Sequence, residues 1–231
     1  MALILNIESS TTVCSVALAR DGEVLQHLEV NDGYSHAENL AVFADTLLKE
    51  AGITAMDVDA VAVSRGPGSY TGLRIGVSLA KGIAYGASKP LIAVDTLQQM
   101  CLHPNVVKEL QYLKDPLLCP MLDARRMEVF TAVYDIGLKL IRPYEAMVLD
   151  EQSFEQELSE DGMLFFGNGS PKFKDILNNS SAYFAEDVWP SSLQMAPLAE
   201  MAFERQEFED VAYFEPFYLK AFQGTTPKKR F

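Results

Sequence analysis

Apolar and polar residues alternate along several short segments near the start of the chain. Alternation with a period of two predicts three strands, Leu3–Ile7, Val13–Ala19 and Val24–Val30. The pair Asp21-Gly22 between the last two strands is a hairpin turn signal. The chain is therefore expected to open on a small antiparallel sheet.

The spacing of the apolar residues then changes to the helical period. A first helix is predicted with Ser35 as N-cap, Glu38 closing a capping box and Gly52 as its stop. The next elements are predicted as a strand, a helix and a strand, at Val58–Val63, Thr71–Ala87 and Leu91–Val94. The order of elements is βββαβαβ.

The same order begins again after a helical connector predicted for Leu97–Leu113. Four further strands are predicted at Leu118–Leu122, Val129–Tyr134, Leu138–Leu149 and Met163–Phe166. Three further helices are predicted at Asp150–Ser159, Phe173–Leu177 and Ser192–Glu204. Two βββαβα-type halves with a cleft between them are typical of the actin-like ATPase (ASKHA, ribonuclease H-like) fold. The sequence therefore predicts an α/β chain with two actin-like domains, residues 1–100 and 101–231.

The composition is that of a packed soluble protein. Of the 231 residues, 48% are hydrophobic and 22% are charged, and no apolar run approaches the ~18 residues that span a bilayer. The N-terminus lacks a basic region before its apolar residues, so we interpret it as a strand and not as a signal peptide. Three widely spaced cysteines, Cys14, Cys101 and Cys119, favour reduced thiols in the cytoplasm over a disulfide framework.

The formal net charge of −13 bears on the partners that the chain can have. A protein that binds nucleic acid by itself usually presents a basic face, because phosphate neutralisation supplies much of the affinity. The dense basic run is Lys228-Lys229-Arg230, which we interpret as a solvated tail. We therefore expect no direct RNA binding by this chain alone.

The stretch SRGPGSYTGLRIGVSLAKG has the glycine content of a phosphate-binding loop. A Walker A loop would need Lys-Ser/Thr where Leu73-Arg74 stands, and a dinucleotide fingerprint would need glycine in place of Thr71. The helix that follows is apolar nearly all round, which indicates cover on more than one side. Its Gly72, Gly76 and Ala80 form a strip without large side chains. Such a strip favours close approach by a neighbouring helix of the same chain or by a partner protein.

Hydroxyl-bearing residues follow the first strand. In an actin-like fold the first hairpin of each half faces the cleft, so Ser9, Thr11 and Asp123 are candidate nucleotide contacts. Ordinary turn chemistry is the alternative interpretation of the hydroxyl cluster. No catalytic or metal-binding residue is predicted, because the three histidines form no H-x-x-x-H or H-E-x-x-H pair and no G-x-S-x-G motif occurs.

Several motifs together resemble the TsaB (YeaZ) family, namely ILNIESSTTVCSVAL, SHAENL, SRGPGSYTGLRIGVSLAKGIA, IAVDTLQ and PFYLK. The resemblance implies a cytoplasmic, non-catalytic dimerisation subunit of the bacterial machinery that makes tRNA threonylcarbamoyladenosine. It implies a TsaD-type catalytic subunit and a TsaE-type ATPase as partners, a homodimer when the chain is alone, and tRNA contact only through the complex. TsaD-like relatives carry an H-x-x-x-H metal pair after the glycine helix, where this chain has Val94-Asp95-Thr96-Leu97.

The resemblance also implies where the partner binds. TsaB-like proteins pair with TsaD-like ones through two helices of the first half, here Ala37–Glu50 and Tyr70–Tyr85. The residues expected at this interface are His36, Leu40, Ala44, Gly72, Ile75, Gly76, Leu79, Ala80 and Ile83. No cofactor is expected beyond weak ATP or ADP binding. An ATP-dependent small-molecule kinase of the same fold is the first alternative, and a metallopeptidase is the second.

Overall fold

Two five-stranded sheets of identical topology organise the chain. The computed structural model describes residues 2–33, 35–160 and 162–220. The strands of the first sheet lie in the order β3-β2-β1-β4-β5, and those of the second in the order β8-β7-β6-β9-β10. In the first sheet β1–β3 pair antiparallel and β1, β4 and β5 pair parallel, and the second sheet repeats this with β6–β8 and β6, β9 and β10. This repeated topology confirms the predicted actin-like α/β fold.

The strands of the first sheet are β1 Leu3–Glu8, β2 Cys14–Arg20, β3 Glu23–Val30, β4 Ala60–Gly66 and β5 Leu91–Asp95. Those of the second sheet are β6 Leu117–Asp123, β7 Glu128–Tyr134, β8 Leu140–Val148, β9 Met163–Phe166 and β10 Ala182–Ala185. The helices are α1 His36–Glu50, α2 Tyr70–Ala87, α3 Thr96–Met100, α4 Pro104–Leu110, α5 Glu155–Glu160, α6 Ser170–Lys174 and α7 Ser192–Glu204.

Both faces of the first sheet are covered, and the alternation along β1 explains how. Leu3, Leu5 and Ile7 point to the core that lies under α1 and α2. Ala2 and Ile4 point to the opposite face, where Met195 and neighbouring side chains of α7 pack. The helix α7 belongs to the second half by sequence, yet it packs on β1, β2 and β5 of the first sheet. Because both faces are buried, β1 is apolar along nearly its whole length.

The second sheet is also covered on both faces. Leu97 and Met100 of α3 and Val106 of α4 join the core on one face. Leu158 of α5 and Phe173 of α6 join the core on the other, where Phe173 contacts the ring of Phe165 at 5.0 Å between centroids. Each half thus has its own packed core.

The predicted strands are confirmed in number and order except for β10, which the sequence analysis missed. The Asp21-Gly22 turn is confirmed, since both residues have positive φ, as a two-residue hairpin requires. The capping box at Ser35 was wrong, because the Ser35 hydroxyl donates to Asp32 Oδ1 at 2.7 Å and caps no backbone N–H. The connector predicted as one helix is two, α3 and α4. The basic run Lys228-Lys229-Arg230 lies outside the described residues.

Candidate functional site

The glycine strip of α2 faces the interior of the chain. A Cβ atom at Gly72 would collide with the carbonyl oxygen of Ser9, and one at Gly76 would collide with the Ser9 hydroxyl. A Cβ atom at Gly68 would likewise collide with the carbonyl oxygen of Ser10. The glycines therefore allow α2 to approach the turn that joins β1 to β2. The close neighbour belongs to the same chain, but it is this turn and not the neighbouring helix that the sequence analysis offered as the same-chain alternative.

This packing corrects six of the nine residues predicted at the partner interface. The six side chains or glycine Cα positions are buried within the first half and leave no surface to a partner: His36, Leu40, Ala44, Gly72, Gly76 and Ala80. The helical period identified the strip of small residues but could not decide which side of α2 faces inward. The other three predicted residues, Ile75, Leu79 and Ile83, are half-buried at the edge of the core.

The outer side of α1 and α2 exposes apolar residues and glycines, next to the charged Glu38, Asp45, Lys49 and Glu50 of α1. Val42 of α1 is 57% exposed and Tyr85 of α2 is 81% exposed. A Cβ atom at Gly82 or Gly86 would meet nothing within 4 Å, so a shallow groove runs along α2. We call this the two-helix surface, and its members are Val42, Phe43, Ile75, Leu79, Gly82, Ile83, Tyr85 and Gly86. The sequence analysis included Val42, Phe43, Gly82 and Tyr85 in its interface helices Ala37–Glu50 and Tyr70–Tyr85 but did not single them out, and Gly86 lies just beyond them.

The polar groups at the start of the first hairpin form hydrogen bonds inside the chain. Glu8 is fully buried and accepts hydrogen bonds from the Ser10 N–H at 2.5 Å and from the Gln99 side-chain amide. Ser9 donates its N–H to the Ser64 hydroxyl at 3.3 Å. Burial raises the pKa of the Glu8 carboxyl, against the opposing effect of these donors. The Glu8 carboxyl thus takes up donors that a phosphate would need.

The three predicted nucleotide contacts do not meet at one site. Ser9 and Thr11 are buried at the first hairpin. Asp123 lies at the end of β6, where it pairs with Lys172 at 2.8 Å and borders a cavity of about 520 Å³. Other residues of that cavity include Asn168, Phe184 and Trp189, and neither Ser9 nor Thr11 lines it. The cavity beside Asp123 is thus formed without the first hairpin.

A buried carboxylate joins the two halves. Asp95, at the end of β5, caps α3 by accepting from the N–H groups of Leu97 and Gln98, at 2.9 and 3.0 Å. It also accepts from the hydroxyl of Tyr134 of the second half, at 3.3 Å, and pairs with Arg65 at 3.2 Å. Burial raises the pKa of Asp95, while the α3 N–H groups and the Arg65 charge act in the opposite direction.

The segment after α7 runs back along the first half and reaches the second. Glu209 bridges to Leu91 at the edge of the first sheet, and the N–H of Phe217 donates to the Arg65 carbonyl at 2.7 Å. The ring of Tyr218 lies on that of Tyr70, with centroids 4.7 Å apart. Beyond it, Lys220 pairs with Glu128 at 2.5 Å. We call residues 207–220 the C-terminal strap.

The described residues hold no cluster of three or more His, Cys, Asp or Glu side chains able to bind a metal ion. In the same part of the chain, each helix is too short or too polar to cross a membrane.

Comparisons with known proteins agree with this architecture. The family model for TsaD, tRNA N6-adenosine threonylcarbamoyltransferase, matches residues 33–228. The tRNA threonylcarbamoyladenosine biosynthesis protein TsaB of Escherichia coli is 32% identical over 226 residues, which cover 94% of each chain. The Bacillus subtilis TsaB is 27% identical and spans 94% of this chain and 93% of its own. The structure of YeaZ from Pseudomonas aeruginosa has a TM-score of 0.80 at 25% identity, covering 95% of this chain and all of that one.

The duplicated sheets define an actin-like α/β protein. The match to TsaB proteins extends along almost the whole chain. The chain belongs to the TsaB (YeaZ) family, and the TsaD family model covers most of it.

Proposed function

We propose that this chain takes part in tRNA threonylcarbamoyladenosine biosynthesis as a non-catalytic subunit that pairs with a TsaD-type catalytic subunit. The family relationship supports the pathway, because the TsaB relatives carry this role in their names. The TsaD-type partner transfers the threonylcarbamoyl group to tRNA, and a TsaE-type ATPase joins the pair. The chain contacts tRNA only through this complex, in keeping with its net charge of −13.

The observation that carries this proposal is the two-helix surface. Val42 and Tyr85 expose apolar side chains, and the open positions at Gly82 and Gly86 allow a second helix to approach the backbone of α2. Apolar residues grouped on an exposed surface are typical of protein–protein contact sites, whereas apolar residues that are scattered singly are not. In the absence of its partner, the chain pairs with a second copy through the same surface.

The first hairpin supports a subunit without nucleotide chemistry. In a small-molecule kinase of this fold, the N–H groups of this hairpin would have to bind phosphate oxygens. Here the Ser10 N–H is bonded to the buried Glu8 carboxyl, and the Ser9 N–H to Ser64. We expect the isolated chain to have no ATP-dependent activity, and any ATP or ADP binding to be weak.

The test is a binding and reconstitution experiment with the TsaD-type subunit of the same organism. Val42→Asp and Gly82→Leu change exposed positions of the two-helix surface, so we expect neither variant to lower the melting temperature. Both should raise the Kd for the TsaD-type subunit at least tenfold, because a charge or a large side chain then lies in the contact. Val107→Asp is the matched control, since Val107 is a helical valine of α4 that is 46% exposed and lies outside this surface.

The same proteins should then be tested for threonylcarbamoyl transfer together with the TsaE-type ATPase and the threonylcarbamoyl-adenylate synthase. Wild type and Val107→Asp should stimulate the product, and the two surface variants should not. Transfer to tRNA by the isolated chain, or pairing that tolerates both surface variants, would contradict the proposal.

A further inference from the structure

Arg74 is the exposed cation of α2, and it belongs to a row of residues along that helix. Tyr70, Arg74, Ser78, Gly82 and Gly86 follow each other at intervals of four residues and form one continuous row that winds slowly around the helix, by about 40° at each step. Arg74, Ser78, Gly82 and Gly86 are exposed, and the row borders the apolar ridge of Ile75, Leu79 and Ile83. A partner helix that fills the groove at Gly82 and Gly86 and extends towards the start of α2 therefore reaches the Arg74 guanidinium.

The guanidinium of Arg74 is held in place by the ring of Tyr70. Its Cζ lies 5.4 Å from the centroid of the Tyr70 ring, and its Nη1 donates to the Tyr70 hydroxyl at 3.2 Å. Tyr70 is in turn stacked against Tyr218 of the C-terminal strap, at 4.7 Å between centroids. This stack orders the long Arg74 side chain before any partner arrives, which lowers the entropy cost of using it in an interface.

The charge of Arg74 has no carboxylate partner in the described part of the chain. The other cation of α2, Lys81, donates to the carbonyl oxygens of Ala212 and Phe214, at 3.2 and 2.9 Å, and so anchors the strap. When a protein covers the apolar ridge beside Arg74, the guanidinium loses water. An uncompensated charge in such a position is costly, so the covering surface has to supply an acceptor.

The helix α2 cannot supply that acceptor to a second copy of itself. Its eighteen residues include no Asp or Glu, so two copies packed through α2 alone would bring cations together without a carboxylate. A different protein with an acidic side chain at this position has no such conflict. In a homodimer, Arg74 could thus be paired only if a carboxylate of another element, such as the exposed Glu38, Asp45 or Glu50 of α1, reached it.

We propose that Arg74 is a specificity-determining contact that pairs with an Asp or Glu side chain of the TsaD-type subunit, and that Tyr218 is a positioning residue for it. The inference rests on the proposed function, because it specifies the chemistry of the partner at the same surface. The planar guanidinium forms two parallel hydrogen bonds to one carboxylate, which lysine does not do.

The test measures the Kd of the TsaD-type subunit of the same organism for wild type and for variants at Arg74 and Tyr218. Arg74→Ala should raise the Kd roughly ten- to hundredfold. Arg74→Glu should raise it further and Arg74→Lys less. Tyr218→Ala should weaken binding by a few-fold, while Tyr218→Phe, which keeps the ring, should bind like wild type. Raising the salt concentration should weaken wild type more than Arg74→Ala. Arg74 is exposed, so its variants should melt like wild type.

The outcomes separate this inference from the function on which it rests. If Val42→Asp abolishes pairing while Arg74→Glu binds as tightly as wild type, the Arg74 contact is overturned and the proposed function stands. If Arg74→Glu weakens only self-association, its acceptor lies on a second copy and the inference is overturned. If wild type does not bind the TsaD-type subunit at all, both proposals fail.

Discussion

Gly76 of α2 lies directly against Ser9 at the end of β1, so closely that a Cβ atom at Gly76 would overlap the Ser9 hydroxyl oxygen. The same helix has open space beside Gly82. Two glycines six residues apart thus serve opposite purposes: the first allows the helix to pack on its own sheet, and the second leaves a groove on the surface.

Gly76→Ala should destabilise the chain by about 1–3 kcal/mol, because overpacking at the Ser9 contact outweighs the better helix propensity of alanine. Gly82→Ala, in open space in the same helix, should be neutral or should stabilise by up to about 1 kcal/mol. Urea unfolding of both variants checks the contrast. The double variant Ser9→Ala with Gly76→Ala should recover part of the loss, and additive losses would show that Ser9 is not the obstacle.

The sequence was sufficient to predict the order of the helices and strands, but not to predict which side of α2 is buried. Alternation and helical period depend on neighbouring residues, so nine of the ten strands could be predicted. Two rows of small residues occur on α2, one through Gly72 and Gly76 and one through Ser78 and Gly82, and local pattern cannot tell which row is covered. That choice is made by Ser9, which lies far away along the chain.

The cluster around Asp95 could not be predicted for a similar reason. Its hydrogen-bonding partner Tyr134 comes from the other half of the chain, and only the packing of the halves brings the two together. β10, by contrast, was missed because it is short, Ala182–Ala185, and lies at the edge of its sheet, where the burial pattern that marks a strand is weak.

His36 should make the stability of the chain depend on pH below about 6.5. It is 2% exposed, and its Nε2 has no hydrogen-bond partner among the described residues. Burial lowers the pKa of the imidazole in the folded chain below the usual 6.5. The unfolded chain then binds a proton that the folded chain does not, so this contribution to stability is complete above pH 6.5 and is lost as the pH falls.

The free energy of unfolding, measured by urea titration between pH 5 and 8, checks this expectation. His36→Gln should show a shallower loss of stability towards acid than wild type does. Burial also lowers the pKa of His103, so part of the slope should remain. An unchanged slope in His36→Gln would show that His36 is not responsible for it.

Asp95→Asn and Asp95→Ala should separate two roles of this side chain. Asparagine keeps an oxygen in the place of Oδ1, which caps α3 and accepts from Tyr134, so Asp95→Asn should lose mainly the pairing of Oδ2 with Arg65, at roughly 1–3 kcal/mol. Asp95→Ala also removes the cap and the contact to Tyr134 and should cost at least about 1 kcal/mol more. Asp45→Asn is the control, since the Asp45–Lys49 pair is exposed and should contribute less than about 1 kcal/mol. Equal losses for Asn and Ala would argue against the capping role.

Glu8→Gln should remove the loss of folding stability that the Glu8 carboxyl causes as the pH rises. Burial raises the pKa of Glu8 in the folded chain above the usual 4.5, so the folded chain holds a proton that the unfolded chain releases. The stability that Glu8 contributes therefore falls as the pH rises from about 4.5 through the folded value, the opposite sign to His36. Glutamine keeps the shape of the side chain, and the Gln99 amide, whose Oε1 has no partner among the described residues, can turn to accept from it. The difference in unfolding free energy between Glu8→Gln and wild type should thus shift in favour of the variant between pH 5 and pH 8.

Glu8→Ala, which leaves the Ser10 N–H and the Gln99 amide unpaired, should instead be destabilised by roughly 2–4 kcal/mol at both pH values. A difference between wild type and Glu8→Gln that stays constant over this range would mean that Glu8 does not change its protonation on folding.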